Sequence, residues 1–112
     1  MIEKPLIDEK QTEVGGKTFL LSKIPSIASR EILMNYSAGE KGELAADSTK
    51  TILRMLSYCS VDIAGTFQRL STAEFIDAQI PSVKDLMKLE AEMLEYNFGF
   101  FGQGESLRSS PM

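Results

Sequence analysis

The sequence predicts a mainly α fold in the α+β class: a small helical domain of about four helices with an N-terminal β-hairpin. Three observations lead to this expectation. A Gly-Gly pair separates two short segments near the N-terminus, apolar residues then recur at helical spacing, and 112 residues have room for one modest core. We expect residues 1–98 to form this single domain. Residues 99–112 are rich in glycine and serine and are expected to be a flexible tail.

The hairpin is predicted at about residues 9–22, because Gly15 and Gly16 accept the positive φ angles of a tight two-residue turn. The same glycines begin the letters GGKT, with which a phosphate-binding loop would end. Such a loop needs another glycine at the position of Gln11, and a long helix directly afterwards, which Pro25 prevents. A turn is therefore the favoured interpretation. Its register opposes Val14 with Lys17, Thr12 with Phe19, and Lys10 with Leu21.

A first helix is predicted after Pro25, which suits the first turn of a helix because its missing N–H costs nothing there. Gly39 would end this helix. Residues 37–43, SAGEKGE, are expected to form an exposed loop. The apolar residues at helical spacing in this segment are Ile27, Ala28, Ile32, Leu33 and Tyr36.

A longer second helix is predicted to begin near Leu44 or Asp47, with Asp47 or Ser48 as its N-cap. Gly65 would either end this helix or merely weaken it. Phe67 is expected to join the core. The apolar residues of the helix form a single stripe: Ile52, Met55, Leu56, Cys59 and Ile63.

Two more helices are predicted towards the C-terminus. Ser71 and Glu74 have the spacing of a capping box, which indicates a short helix from about residue 72 to residue 79. Pro81 interrupts the pattern, and Ser82 marks the start of the last helix.

Composition and charge argue against several classes of function. The net charge is −4 and no Lys/Arg cluster is present to neutralise phosphates, so nucleic acid is not expected as a partner. The chain has no histidine, the most frequent general base and metal ligand, and its one cysteine, Cys59, has no partner thiol. No segment approaches the roughly 18 apolar residues of a membrane span, and the N-terminus lacks the apolar run of a signal peptide. We expect a cytoplasmic protein without membrane contact.

No catalytic, cofactor-binding or metal-binding residue is predicted. The carboxylates of Asp85, Glu90, Glu92 and Glu95 are expected to form the solvated face of the last helix, because their helical spacing prevents the last three from converging on one ligand. Cys59 falls on an apolar stripe, which is typical of a core residue rather than a reactive thiol.

The last helix is apolar over more than one stripe, which leaves two interpretations. It is either a central core helix, or a helix whose surplus apolar surface binds a partner. Self-association would cover such a surface, so a homo-oligomer is expected. In the second interpretation the partner-binding residues are Leu86, Met93, Leu94, Tyr96, Phe98, Phe100 and Phe101.

The segment GGKTFLLSKIPSIASREIL, the acidic middle of the chain, and the ending LEYNFGFFGQGESLRS together resemble the tail assembly chaperones of long-tailed, siphovirus-like bacteriophages. The likeness extends from about Gly15 to Arg108 and includes no catalytic motif. It implies a small, mostly helical, acidic and non-enzymatic protein that binds the tape-measure protein and keeps it soluble during tail tube assembly.

The resemblance has further implications for partners and location. It implies a longer product, made by ribosomal frameshifting, whose extra domain recruits the tail tube protein. It also places the chain in the host bacterial cytoplasm and leaves it out of the mature virion. Two alternatives stay open: a structural tail or head–tail connector (completion) subunit, and, more remotely, a small nucleotide-binding regulator that would depend on residues 15–18.

Overall fold

The computed structural model describes residues 9–38 and 44–109, and the side-chain surroundings of residues 9–36 and 46–99. Within these residues the strands are β1 (Glu9–Val14), β2 (Lys17–Ser22), β3 (Tyr36–Ala38), β4 (Leu44–Ala46), β5 (Cys59–Ile63) and β6 (Thr66–Arg69). The helices are α1 (Ser26–Leu33), α2 (Thr49–Leu56), α3 (Ala73–Gln79) and α4 (Val83–Ser109).

The described strands form two antiparallel sheets. The larger has the order β1-β2-β5-β6, and β3 pairs with β4 in the smaller one. The domain is therefore an α+β domain with a four-stranded sheet, and the prediction of a mainly α fold with only an N-terminal hairpin is wrong. The number of helices agrees with the prediction, but the segment after α2 contributes two strands that we had assigned to helix or left unassigned.

The N-terminal hairpin is confirmed, including its register. Val14 pairs with Lys17 across the turn, and the other predicted pairs, Thr12 with Phe19 and Lys10 with Leu21, are present as well. The two turn glycines have φ angles of 60° and 81°, a region that side chains disfavour. A Cβ on the first of them, Gly15, would also collide with the Asp85 carboxylate at the start of α4.

The second hairpin, β5–β6, replaces the end of the predicted second helix. Cys59 is buried, as predicted, but it lies on β5 and not on a helix. The chain turns at Ala64 and Gly65, which both have positive φ, and Asp62 Oδ1 accepts a hydrogen bond from Gly65 N at 2.8 Å. Such a pair of positive φ angles is typical of a two-residue hairpin turn. Gly65 therefore belongs to a hairpin and does not end a helix.

The predicted loop at residues 37–43 is partly a small sheet, since Ser37 and Ala38 lie on β3 and pair with Ala45 and Leu44 of β4. The predicted helix end at Gly39 is wrong, because α1 ends at Leu33, and Tyr36, which was assigned to this helix, lies on β3. Residues 39–43 lie outside the described residues.

The predicted start of the first helix agrees with the structure, and so does the later of the two starts proposed for the second helix, since Leu44 lies on β4. Helix α1 begins directly after Pro25, and Ser29 N donates to Pro25 O at 2.8 Å. Helix α2 begins after Ser48, whose hydroxyl accepts a hydrogen bond from Thr51 N, while Asp47 Oδ1 accepts one from the Thr51 hydroxyl at 2.9 Å. Both of the proposed cap residues therefore contact Thr51, and Ser48 is the N-cap.

The last two helices start close to the predicted positions. Helix α3 is capped by Thr72, whose hydroxyl accepts from Phe75 N at 3.1 Å, so Thr72 and not Ser71 has the capping role. At the start of α4, Ser82 Oγ accepts from Asp85 N at 3.4 Å. Short polar side chains thus satisfy backbone N–H groups that the first turn of a helix leaves without partners.

The core lies between the helices and one face of the large sheet. Met55 and Leu56 are fully buried, as predicted, whereas Ile52 is only half-buried. The prediction for Phe67 is wrong: it is 36% exposed, because it pairs with Asp62 on the sheet face opposite to buried Val61. Other buried apolar residues are Val14, Phe19, Leu21, Ile24, Ile32, Leu70, Ile76, Ile80, Leu89, Met93 and Phe98.

Helix α4 bends at Phe98, where φ is −127° and ψ is 20°, and its backbone continues to Ser109. We had placed the start of the tail at residue 99, so helical backbone extends into the predicted tail. The flexibility of residues 99–112 stays a prediction.

Candidate functional site

The GGKT segment lies in a hairpin turn and does not join a strand to a helix. Lys17, the lysine of this segment, is the first residue of β2. Its ammonium donates to the backbone oxygen of Gln79 at 2.9 Å and to the Gln79 side-chain oxygen at 3.1 Å. Lys17 thus joins the end of α3 to the hairpin. A phosphate-binding loop needs its lysine to point at a ligand from the start of a helix, and this geometry does not provide that.

The acidic residues of α4 were predicted to form a solvated face. Among the described residues, no three acidic or cysteine side chains lie close enough together to hold a metal ion. Glu90 is half-buried, and its Oε2 accepts a hydrogen bond from the Tyr36 hydroxyl at 3.0 Å. Glu95 is exposed. Asp85 and Glu92 are half-buried as well, so only Glu95 of the four carboxylates is exposed as predicted, and Glu90 contributes to a tertiary contact.

In the part of the chain that the structure describes, Cys59 and Tyr36 have strongly raised pKa values, and both side chains pack in the interior. Burial raises the pKa of the Cys59 thiol to about 12, so the thiol stays protonated and is a poor nucleophile. Burial, followed by the charge and the hydrogen bond of Glu90, raises the pKa of Tyr36 above its ordinary value. Neither group has the cationic surroundings that would stabilise its ionised form.

The residues predicted to bind a partner lie on different sides of α4. Met93 and Phe98 are buried, and burial removes them from the surface of this monomer. Leu86, Leu94 and Tyr96 are half-buried and pack against the core. The side chains of the remaining two, Phe100 and Phe101, lie outside the described residues. The partner-binding role of all seven residues stays a prediction, and the apolar surplus on α4 is partly accounted for by the sheet beneath it.

A polar joint fixes the C-terminal half of α4 to the segment between β2 and α1. Asn97 Oδ1 accepts a hydrogen bond from Ile24 N at 2.8 Å, and Asn97 Nδ2 donates to Ser22 O at 3.3 Å. The Lys23 ammonium lies 4.2 Å from the centroid of the Tyr96 ring and donates to Tyr96 O at 2.6 Å. Sequence reasoning missed this joint, because its partners are far apart in the chain and no local pattern connects them.

Exposed apolar side chains occur on two helices, and they are the strongest indication of a binding surface. Ile27, in the first turn of α1, and Met34, the C-cap residue directly after α1, are 77% and 67% exposed. Val83 and Met87, in the first turns of α4, are 70% and 62% exposed. The helical spacing of residues 27–36 had suggested a common buried stripe, but only Ile32 of this set is buried. The sequence did not predict which side of α1 is exposed, because it does not show which face of the helix the sheet covers.

We found no protein family, no curated protein and no solved structure that matches this chain. No helix in the described part of the chain has the length and apolar character to cross a membrane. The function of this chain is therefore inferred from its surface geometry and from the sequence resemblance.

Proposed function

We propose that the chain is a non-enzymatic tail assembly chaperone, which binds the tape-measure protein of a long-tailed bacteriophage and keeps it soluble during tail tube assembly. The observation that supports this proposal is the exposure of Ile27 and Met34 on one side of α1. It adds to the sequence resemblance, because a chaperone without catalytic residues needs apolar surface that a client can cover.

Met34 follows directly after α1 and keeps right-handed helical backbone angles, with φ −68° and ψ −14°. Ile27 and Met34 are seven positions apart, so they lie on the same side of the helix and about 10 Å apart along its axis. Arg30 lies between them and is exposed as well. We call these three residues the α1 face. On the neighbouring side of α1, Glu31 forms an ion pair with Arg54 of α2, whereas Ile27 and Met34 are largely exposed. The α1 face is thus open to a partner.

A helical, largely apolar client fits the α1 face. Two apolar anchors one heptad apart are the spacing with which one helix packs along another. Methionine is unbranched and adapts to irregular surfaces, so Met34 suits a client whose sequence varies along its length. The net charge of −4 would keep the chaperone soluble while its apolar residues are exposed before the client binds.

The remaining parts of the proposal follow from the resemblance. The chain acts in the host bacterial cytoplasm and is absent from the mature virion; a homo-oligomer is proposed separately, on the apolar surface of α4. A frameshifted, longer form contacts the tail tube protein. The contacts of Lys17 with Gln79 do not favour the nucleotide-binding alternative.

Affinity capture during infection tests the proposal. A tagged chain should co-purify with the tape-measure protein, identified by mass spectrometry, and the variant Ile27→Ser/Met34→Ser should lose most of that signal. The matched control is Gln68→Ser, an exposed residue on β6. Capture that is unaffected by the α1 variant would contradict the assigned surface. Recovery of the chain from purified virions would favour the alternative of a structural tail or connector subunit.

A further inference from the structure

The outer side of α4 carries an apolar stripe. Val83 and Met87 are largely exposed, Ala91 is exposed, and Leu94 is half-buried. At 100° per residue these four positions lie within an arc of about 80° and extend about 16 Å along the helix. We call these four residues the α4 stripe. The small side chain of Ala91 near its middle would let another helix approach closely.

Charged residues follow one edge of the α4 stripe, and their signs separate along the helix. Lys84 and Lys88 occupy its N-terminal half, while Glu92 and Glu95 occupy its C-terminal half. Three of them are exposed and Glu92 is half-buried. On the other edge, Glu90 accepts the hydrogen bond from Tyr36, so that edge is closed by the small sheet. A partner helix therefore has to lie over the stripe and its charged edge.

We infer that the α4 stripe pairs antiparallel with the α4 stripe of a second copy of this chain. Reversing one helix against the other sets Lys84 opposite the partner subunit's Glu95, and Lys88 beside the partner subunit's Glu92. Because the arrangement has twofold symmetry, each contact occurs twice, and the same patch meets itself, as closed dimers require. In a parallel pair, each lysine would lie at the same level along the helix axis as the same lysine of the second copy. The charge complementarity of the antiparallel pair would then be absent.

The dimer explains why an acidic chain leaves apolar residues exposed beside two lysines. One helical stripe buries little area by the standard of stable interfaces, so the pairing is concentration-dependent and weakens as salt screens the charged edge. The pairing uses α4 and leaves the α1 face open. It therefore stands independently of the proposed client, although a dimer would present two α1 faces to one long client.

Sedimentation velocity over a concentration series tests the pairing. The unmodified chain should dimerise, and Lys84→Glu/Lys88→Glu should self-associate at least about tenfold more weakly, because attractive contacts become repulsive. Glu92→Lys/Glu95→Lys should have the same defect. A mixture of the two variants should form a heterodimer, since one carries four negative charges along the edge and the other four positive ones.

Further variants separate the stripe from general effects. Met87→Ser should weaken the dimer, whereas Ile27→Ser on α1 should leave the mass unchanged. Oxidising a mixture of Lys84→Cys and Glu95→Cys chains should cross-link them, while Lys84→Cys alone should not cross-link. Three outcomes would each overturn the inference. The unmodified chain could be a monomer at every concentration, the charge-reversal variants could be folded by circular dichroism and dimerise as strongly as the unmodified chain, or Lys84→Cys could cross-link with itself. Loss of the dimer with client capture retained would leave the proposed function standing.

Discussion

The Tyr36 hydroxyl donates a hydrogen bond to Glu90 Oε2 at 3.0 Å and also lies 3.7 Å from Met55 Sδ. This contact joins β3 to α2 and α4, which are distant in the sequence. Tyr36 is half-buried and packs against the core. The Tyr36 side chain therefore helps to fix the small sheet to the helical layer, and a substitution there should be measurable in stability.

We expect Tyr36→Phe to lower the free energy of unfolding by about 0.5–1.5 kcal/mol, the usual net value of one hydrogen bond. Chemical denaturation near neutral pH measures this change. Tyr58→Phe, which removes the hydroxyl of another half-buried tyrosine, is the control and should change stability less.

The raised pKa of Tyr36 also predicts a pH dependence. The unfolded state releases the tyrosine proton near pH 10, the ordinary value, while the folded state retains it. Folding stability from this group is therefore fully present below about pH 10 and falls as the pH rises further. Tyr36→Phe should lose less stability between about pH 8 and about pH 11 than the unmodified chain. Equal losses in both proteins would contradict this assignment.

Leu56→Ala should cost about 2–5 kcal/mol, because Leu56 is fully buried at the end of α2 and its removal leaves a cavity. Phe67→Ala is the comparison. The Phe67 side chain is larger than that of Leu56 but lies on the open face of the sheet, so we expect the free energy of unfolding to fall by less than about 1 kcal/mol. Denaturant titration measures both. A loss under about 0.5 kcal/mol for Leu56→Ala would show that α2 does not pack as described.

Gly15→Ala should destabilise the hairpin more than Gly16→Ala. Both glycines have positive φ, so both substitutions should cost about 1 kcal/mol or more through backbone strain. Only at Gly15 would the new Cβ collide with the Asp85 carboxylate, whereas the space at Gly16 is open. The excess should disappear when Asp85→Ala is present, which a double-mutant cycle can measure. If Gly15→Ala still destabilises more than Gly16→Ala when Asp85→Ala is present, the difference does not come from the collision with Asp85.

Lys17 should not bind phosphate, because its ammonium donates to two oxygens of Gln79 and its loop is a hairpin turn. Titration calorimetry with ATP and GTP should show no binding in the micromolar range. Micromolar binding that is lost in Lys17→Ala and retained in Lys10→Ala would reverse this conclusion and revive the nucleotide-binding alternative.

The parts of the fold that the sequence predicted have local signals. The register of β1 and β2 follows from the Gly15-Gly16 pair, and the starts of α2, α3 and α4 follow from hydroxyl residues that cap helices. Strand β5 was missed because Cys59 and Ile63 fall at helical spacing after Leu56, although they also alternate with polar residues as a strand does. The spacing of these apolar residues alone could not distinguish a helix from a strand.

The candidate site was harder to predict, since burial depends on distant contacts. Met93 and Phe98 read as surplus apolar residues only as long as the four-stranded sheet was unknown. Conversely, the exposure of Ile27 and Met34 follows from the orientation of α1, which the sequence does not specify. The direction in which a helix packs is a property of the assembled domain, and hydrophobic spacing within the helix constrains it only partly.

The claim that this chain is a chaperone for an apolar client is tested most directly by the soluble fraction of the tape-measure protein on co-expression. The unmodified chain should keep that protein in the supernatant after centrifugation. Ile27→Ser/Met34→Ser, folded by circular dichroism, should leave most of it in the pellet, while the control Gln68→Ser should behave as the unmodified chain. Equal soluble fractions with and without the unmodified chain would contradict the account.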